Sequence, residues 1–177
     1  GRTSPVGLAV SGSSTAPVSM AARGSDHTHG LDSSAVRMNM VHKLAGQGIT
    51  DRMVLSALGA IERHRFIDSA LINQAYEDTS LPIGLGQTIS KPGVVSRMIE
   101  LLRNGAPGKL GRVLEIGTGC GYRAALLSLV ATEVYSIERL RGLHDKAREN
   151  LRHLRLANLH LLFGDGMVGY AKGAPYA

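Results

Sequence analysis

Residues 112–122 read Arg112-Val-Leu-Glu-Ile-Gly-Thr-Gly-Cys-Gly-Tyr122, and this stretch decides the fold. A short apolar run ends in a glycine-dense turn, and a helix-compatible segment follows. Glycine lacks a Cβ, so a backbone built this way can approach a nucleotide-like ligand closely. The spacing excludes two familiar ligand classes. Gly117, Gly119 and Gly121 alternate as GxGxG, whereas a dinucleotide fingerprint requires GxGxxG, and residue 122 is a tyrosine. A phosphate-cradling P-loop requires Gly-Lys-Ser/Thr, which occurs nowhere in the chain. Glu115, two residues before the first of these glycines, instead suits a cationic ligand without a pyrophosphate, such as S-adenosylmethionine. A ligand-free turn is the plainer alternative, but glycines forfeit stability there.

Working outward, the pattern alternates strand and helix. A strand at 112–116 precedes a helix near 121–131. Glu133–Glu138 reads as a second strand, a charged helix spans about 141–155, and His160–Phe163 is a third strand ending at Gly164-Asp-Gly166. Such repetition implies parallel strands and an α/β, Rossmann-like, doubly wound sheet. Three strands make half of such a sheet and leave the strand at 112–116, which belongs at its centre, open on one side. An exposed apolar central strand is an aggregation liability. The expectation is therefore that Ala177 is not the natural end of the fold, and that the 177-residue chain alone is unstable or inactive.

Upstream, residues 1–34 are dominated by Ser, Gly, Thr, Ala and Pro and read as a disordered tail. Residues 35–108 read as an N-terminal helical region with a substrate loop, and 109–177 as the first half of the ligand-binding domain. Val36, Met40, Val41 and Leu44 recur at helical spacing before Gly46-Gln-Gly48. Thr50 or Asp51 can cap the next helix, and Val54, Leu55, Leu58 and Ile61 share one of its faces. Tyr76–Ser90 reads as loop. Pro92 suits the first turn of a further helix, buried through Val94, Val95, Met98, Ile99, Leu101 and Leu102.

Composition bounds the function classes. The chain has 177 residues, is 44% hydrophobic and carries a formal net charge of +6. No apolar run approaches the roughly 20 residues that cross a bilayer, so no membrane role is expected. Cys120 is the sole cysteine, which precludes an internal disulfide and fits a reducing cytoplasm. Arg139, Arg141, Lys146, Arg148, Arg152 and Arg155 crowd one helix, yet Asp145 and Glu149 interleave with them. A solvated, ion-paired face explains them more simply than nucleic-acid binding. No histidine or cysteine cluster has metal-ligand spacing.

Several residues can carry chemistry. Glu138 ends the second strand 21 residues after Gly117, where an acid accepts hydrogen bonds from ribose hydroxyls; pairing with Arg139 or Arg141 is the alternative. Asp165 ends the third strand and either bonds an adenine amino group or serves the turn. Glu115 holds either the glycine turn or the cationic end of the ligand. Ser90, taken alone, reads as a cap.

These residues, with Gln74-Ala-Tyr-Glu-Asp-Thr79, Leu81-Pro-Ile-Gly84, Gln87-Thr-Ile-Ser-Lys-Pro92 and Ser136-Ile-Glu-Arg139, resemble the bacterial-type protein-L-isoaspartate O-methyltransferases. The resemblance covers about residues 36–177. It implies methyl transfer from S-adenosylmethionine, without a metal, to the free carboxylate of L-isoaspartyl residues in damaged proteins and peptides, by a cytoplasmic monomer. It makes Ser90 the active-site residue, with Thr88 and Ile89 meeting cofactor and substrate. Glu115, Gly117, Gly119 and Gly121 fall in the methionine-binding turn, Glu138 becomes the ribose ligand, and Asp165 with Gly166 lies on the adenine side. Arg123 stands where many relatives carry glutamine. The alternatives are a methyltransferase acting on RNA or a small molecule, or an inactive ligand-binding fragment.

Overall fold

The structure, a computed structural model, describes residues 25–167 and 170–176. Most of the expected tail, residues 1–24, lies outside the described residues. The first helix, α1 (Ser25–Gly46), starts ten residues before the expected boundary at Ala35. Its docked part is the later one, where Met40, Val41 and Leu44 are buried while Val36 is exposed. Extending an anchored helix adds one hydrogen bond per residue without a new nucleus, so composition understated its length.

Helix α2 (Arg52–Ala60) is capped by Asp51 rather than Thr50, its Oδ1 accepting from the backbone N–H groups of Met53 and Val54 at 3.0 and 3.2 Å. The other oxygen of Asp51 accepts from Arg103 Nε at 2.9 Å. Arg103 closes helix α3 (Pro92–Arg103) and also donates to the carbonyls of Gly108 and Ala106. From the same helix, Glu100 accepts the N–H groups of Asp51 and Thr50, which hold its carboxyl below the usual range. One corner thus locks α2 to α3. Asp51→Asn keeps the cap but removes the charge facing the buried guanidinium. The expected loss is about 1–2 kcal/mol, read from the urea midpoint at unchanged m.

Tyr76–Ser90 is not all loop. Leu81–Gly84 (β1) and Gln87–Ile89 (β2) pair antiparallel, with Leu81 opposite Ile89 and Pro82 opposite Thr88. The connecting residues Leu85 and Gly86 both have positive φ, 54° and 71°. A two-residue hairpin turn needs that conformation, but leucine rarely supplies it, which concealed the hairpin. Pro92 does open α3, as its spacing indicated. Of the apolar residues expected to be buried, however, only Val95 and Ile99 are; Val94, Met98, Leu101 and Leu102 are exposed. The inward face is instead Pro92, Val95, Ser96, Ile99 and Arg103, a stripe that includes two polar residues satisfied by hydrogen bonds.

The remainder is a strand–helix alternation: β3 (Leu110–Ile116), α4 (Tyr122–Val130), β4 (Ala131–Glu138), α5 (Arg141–Leu151) and β5 (Leu159–Phe163). The strands are parallel in the order β3-β4-β5, with Val113 beside Val134 and Val134 beside Leu159. This is the expected Rossmann-like half-sheet. Helix α5 stops at Leu151, short of the expected 155, and a 3-10 turn carries on to Leu154. Between its two neighbours, β4 buries Ala131, Val134, Ser136, Ile137 and Glu138. Among the described residues β3 pairs only with β4, and its Ile116 is 57% exposed.

Candidate active site

The carboxyl ends of the parallel strands converge on residues 117–121, as ligand sites in open α/β sheets do. Gly117, Gly119 and Gly121 have φ of 89°, 58° and 94°, a region that L side chains rarely occupy. At Gly121 a second demand appears: a Cβ there would stand 2.9 Å from Leu151 Cδ1 and 3.1 Å from its Cγ. A Cβ at Gly117 would meet nothing within 4 Å. One glycine lets α4 approach α5, and the other leaves open space.

Two carboxylates from adjacent strands hold the turn. Glu138 accepts from the N–H of Gly119 at 2.9 Å through one oxygen and from the N–H of Leu140 at 3.0 Å through the other. Each oxygen has a second lone pair, so capacity for a ribose hydroxyl remains. Glu115 is placed differently from a direct ligand contact. It is buried, accepting from Ser136 Oγ at 2.5 Å and from Arg123 Nε at 2.6 Å. Ser136 has given its only proton to Glu115, so the 2.6 Å bond between Thr118 Oγ1 and Ser136 Oγ is donated by Thr118. Arg123 also donates through Nη2 to the Gly117 carbonyl at 3.1 Å. Burial pushes the Glu115 carboxyl up, and the guanidinium opposes it. Glu115 therefore braces the turn from behind, by way of Arg123, Ser136 and Thr118.

Opposite the turn lies the segment Thr88-Ile89-Ser90, and beneath it Arg63, the largest fully buried side chain. Arg63 donates through Nε to the Ala75 carbonyl at 2.7 Å and through Nη2 to the Ser90 carbonyl at 3.0 Å. Its Cζ stands 4.9 Å from the centroid of the Tyr122 ring. Arg63 Nη1 and the Tyr122 hydroxyl are buried without a hydrogen-bond partner of good geometry. Burial pushes the guanidinium below its ordinary range, and the Tyr122 phenol up to about 12. Sequence reasoning missed Arg63, because Glu62-Arg63-His64-Arg65 reads as a charged surface run. Another cation, Lys146 of α5, donates to the Ile83 carbonyl at 2.8 Å and ties the β1–β2 hairpin to the sheet domain.

Two cavities meet at Gly117. One, about 70 Å³, lies between the loop and the turn and is lined by Thr88, Ile89, Ser90, Gly119 and Arg123. The other, about 140 Å³, is lined by Gln87, Ile116, Glu138, Leu140 and Gly166. A larger hollow of about 460 Å³ lies beside α1 and residues 73–78, away from the glycine turn, so size does not mark the site here. The structure thus brings together Thr88, Ile89, Ser90, Gly117, Gly119, Glu138 and Gly166. Gly121 stands behind the turn. Asp165 lines neither cavity; it is exposed, and its Oδ1 accepts the Met167 N–H at 2.9 Å, which is the turn role. Among the described residues no three His, Cys, Asp or Glu side chains are grouped to hold a metal, and no helix is long and apolar enough to cross a membrane.

Residues 35–177 match the model of a known family, Protein-L-isoaspartate(D-aspartate) O-methyltransferase. The chain belongs to this family. It is 60% identical over 148 residues to the protein-L-isoaspartate O-methyltransferase of Methylibium petroleiphilum, covering 83% of this chain and 55% of that one. With the Methylobacillus flagellatus protein of the same name it shares 58% identity, over 83% of this chain and 65% of that one. The chain spans about half the length of the Methylibium petroleiphilum, Leptothrix cholodnii and Janthinobacterium relatives. A solved protein-L-isoaspartate O-methyltransferase superposes with a TM-score of 0.70 at 30% identity, over 79% of this chain and 45% of that one. A Plasmodium falciparum protein solved in complex with S-adenosyl-L-homocysteine shares the fold, with a TM-score of 0.59 at 23% identity, over 71% of this chain and 62% of that one.

Proposed function

We propose that this site transfers a methyl group from S-adenosylmethionine to the free carboxylate of L-isoaspartyl residues in damaged polypeptides, in the cytoplasm and as a monomer. The observation that carries the reading is the meeting of the two cavities at Gly117. One offers Glu138 and Gly166 to a nucleoside, and the other offers Ser90 and Thr88 to an acceptor. The open space at Gly117 fits a bulky ligand pressed against backbone.

The chemistry asks little of the side chains. An isoaspartyl carboxylate, which in water loses its proton near pH ~4, is already ionised at neutral pH, so no general base is required. One of its oxygens bonds to the methyl carbon while the carbon–sulfur bond breaks, and that electron pair stays on sulfur. A sulfonium and a carboxylate become a neutral thioether and a methyl ester. The protein supplies alignment, a contribution worth up to about 7–11 kcal/mol. On this reading Ser90, held at its carbonyl by Arg63, donates its hydroxyl to the acceptor and forms no covalent bond with it. Glu138 orients the ribose, and the backbone of Gly117 and Gly119 flanks the donor. The neighbouring backbone amide nitrogen then attacks the ester carbonyl and gives up its proton, the methoxy group leaves as methanol, and water reopens the resulting succinimide partly to normal aspartate.

The test uses S-adenosylmethionine tritiated on its methyl group and a peptide containing one isoaspartyl residue. Base-labile label, released as methanol and absent from the aspartyl peptide, is expected. Base-stable label, or label on RNA alone, overturns the reading. Ser90→Ala is expected to lower kcat about 10- to 100-fold and to leave donor affinity within about twofold, the loss of one positioning hydrogen bond.

A further inference from the structure

We propose that Arg123 forms a carboxylate subsite: its guanidinium grips the carboxylate of the methionine end of the methyl donor. The inference rests on the donor reading above and adds the group that recognises the donor's amino-acid end. Three observations lead to it. First, the acid that the sequence offered to that end is not available. Both oxygens of Glu115 are engaged, by Ser136 and by Arg123, and the residue is buried. Second, Arg123 is fixed twice, by Nε to Glu115 at 2.6 Å and by Nη2 to the Gly117 carbonyl at 3.1 Å. A guanidinium pinned at two points has already lost the rotamer freedom that a ligand would otherwise have to remove. Third, Arg123 lines the cavity shared by Thr88, Ser90 and Gly119, and its side chain is 28% exposed. Nη1 carries two further N–H donors, and neither of the contacts above uses them.

Two carboxylates would enter such a site, one on the donor and one on the acceptor, and the geometry favours the donor's. Arg123 is anchored on the glycine-turn side, to the carbonyl of Gly117 itself, whereas the acceptor side is formed by the Ser90 loop. A guanidinium clamped on the attacking carboxylate would also withdraw electron density from the nucleophile. On the donor's carboxylate, which does not react, the same contact only adds affinity and fixes the direction of the carbon–sulfur axis.

Calorimetry of the 177-residue chain with S-adenosylmethionine and with decarboxylated S-adenosylmethionine tests the proposal. The second compound keeps the sulfonium and the amine and lacks only the carboxylate. Arg123→Gln is expected to weaken S-adenosylmethionine about tenfold and to leave the decarboxylated compound within about twofold. Arg123→Lys, which keeps a cation beside Glu115, is expected to fall between. The ratio of the two affinities is insensitive to any unfolded fraction, so destabilisation does not mimic the result. Equal weakening of both compounds overturns the proposal, since Arg123 would then act only through Glu115 and the turn. Unchanged donor affinity with a raised KM for the isoaspartyl peptide overturns it in favour of the acceptor. A wild-type chain that is folded by circular dichroism yet binds neither compound removes the donor reading together with this one.

Discussion

Arg63→Ala is expected to lower stability by about 3–5 kcal/mol, out of the roughly 5–15 kcal/mol typical of a domain. The guanidinium is fully buried and bridges the carbonyls of Ala75 and Ser90, which belong to segments 15 residues apart. Truncation leaves both acceptors without that donor, at about 1–3 kcal/mol for each one left unsatisfied. It also removes the cation from over the Tyr122 ring, a contact worth up to about 2 kcal/mol when desolvated. Against these stands the relief of no longer burying a charge, and that keeps the sum within the stated range. Urea denaturation monitored by far-UV circular dichroism gives the number. Arg63→Lys separates stability from positioning. A single ammonium does not span both carbonyls as the planar fork does, so stability returns in part while the Ser90 segment stays loose. Hydrogen exchange over residues 86–94 is expected to quicken in Arg63→Lys at a denaturant concentration where the chain remains folded. A loss below about 1 kcal/mol in Arg63→Ala would mean that water takes over both carbonyls and that the arginine holds nothing.

Alanine at Gly117 is expected to abolish donor binding, weakening it at least about a hundredfold, while costing only about 1–2 kcal/mol for a side chain at positive φ. Three glycines make the comparison internal. Gly105 has φ of 73° and nothing within 4 Å of a Cβ, so Gly105→Ala measures backbone strain alone. Gly117, at 89°, carries the same strain, again with nothing within 4 Å, but it lines the junction of the two cavities. Its methyl group stands where the ligand must lie against the backbone. Gly121, at 94°, adds contacts of 2.9 and 3.1 Å to Leu151, so Gly121→Ala is expected to be the least stable of the three, by about 1–2 kcal/mol beyond Gly105→Ala. Melting curves rank stability, and calorimetry with S-adenosylhomocysteine ranks affinity. Gly117→Ala that still binds this ligand as the wild type does would place the donor elsewhere on the molecule.

The site was legible from sequence to an uneven degree. The glycine turn was readable because positive φ and close approach restrict residue choice so strongly that spacing alone identifies the turn. Glu138 was readable by its place at a strand end, and Gly166 lies beside it at the second cavity. The roles of Glu115 and Asp165 were not fixed. A carboxylate next to a turn serves ligand or backbone equally well in a string of letters, and only packing shows that Glu115 faces inward while Asp165 closes its own turn. Arg63 was invisible, because a buried cation and a solvated one are written alike. The hairpin at 81–89 was hidden by a leucine in a conformation suited to glycine.

Period and glycine spacing by themselves determined the parallel strand–helix alternation and the position of the turn, since both follow from backbone sterics acting over a few residues. Tertiary structure alone decided what that turn faces. Arg63 reaches Ser90 across 27 residues of sequence, Arg123 engages Glu115, whose role the sequence left open between turn and ligand, and Lys146 ties the hairpin to α5 across 63 residues. These contacts depend on which side chains burial leaves without water. That is settled by the packing of distant segments against one another, and no local pattern encodes it.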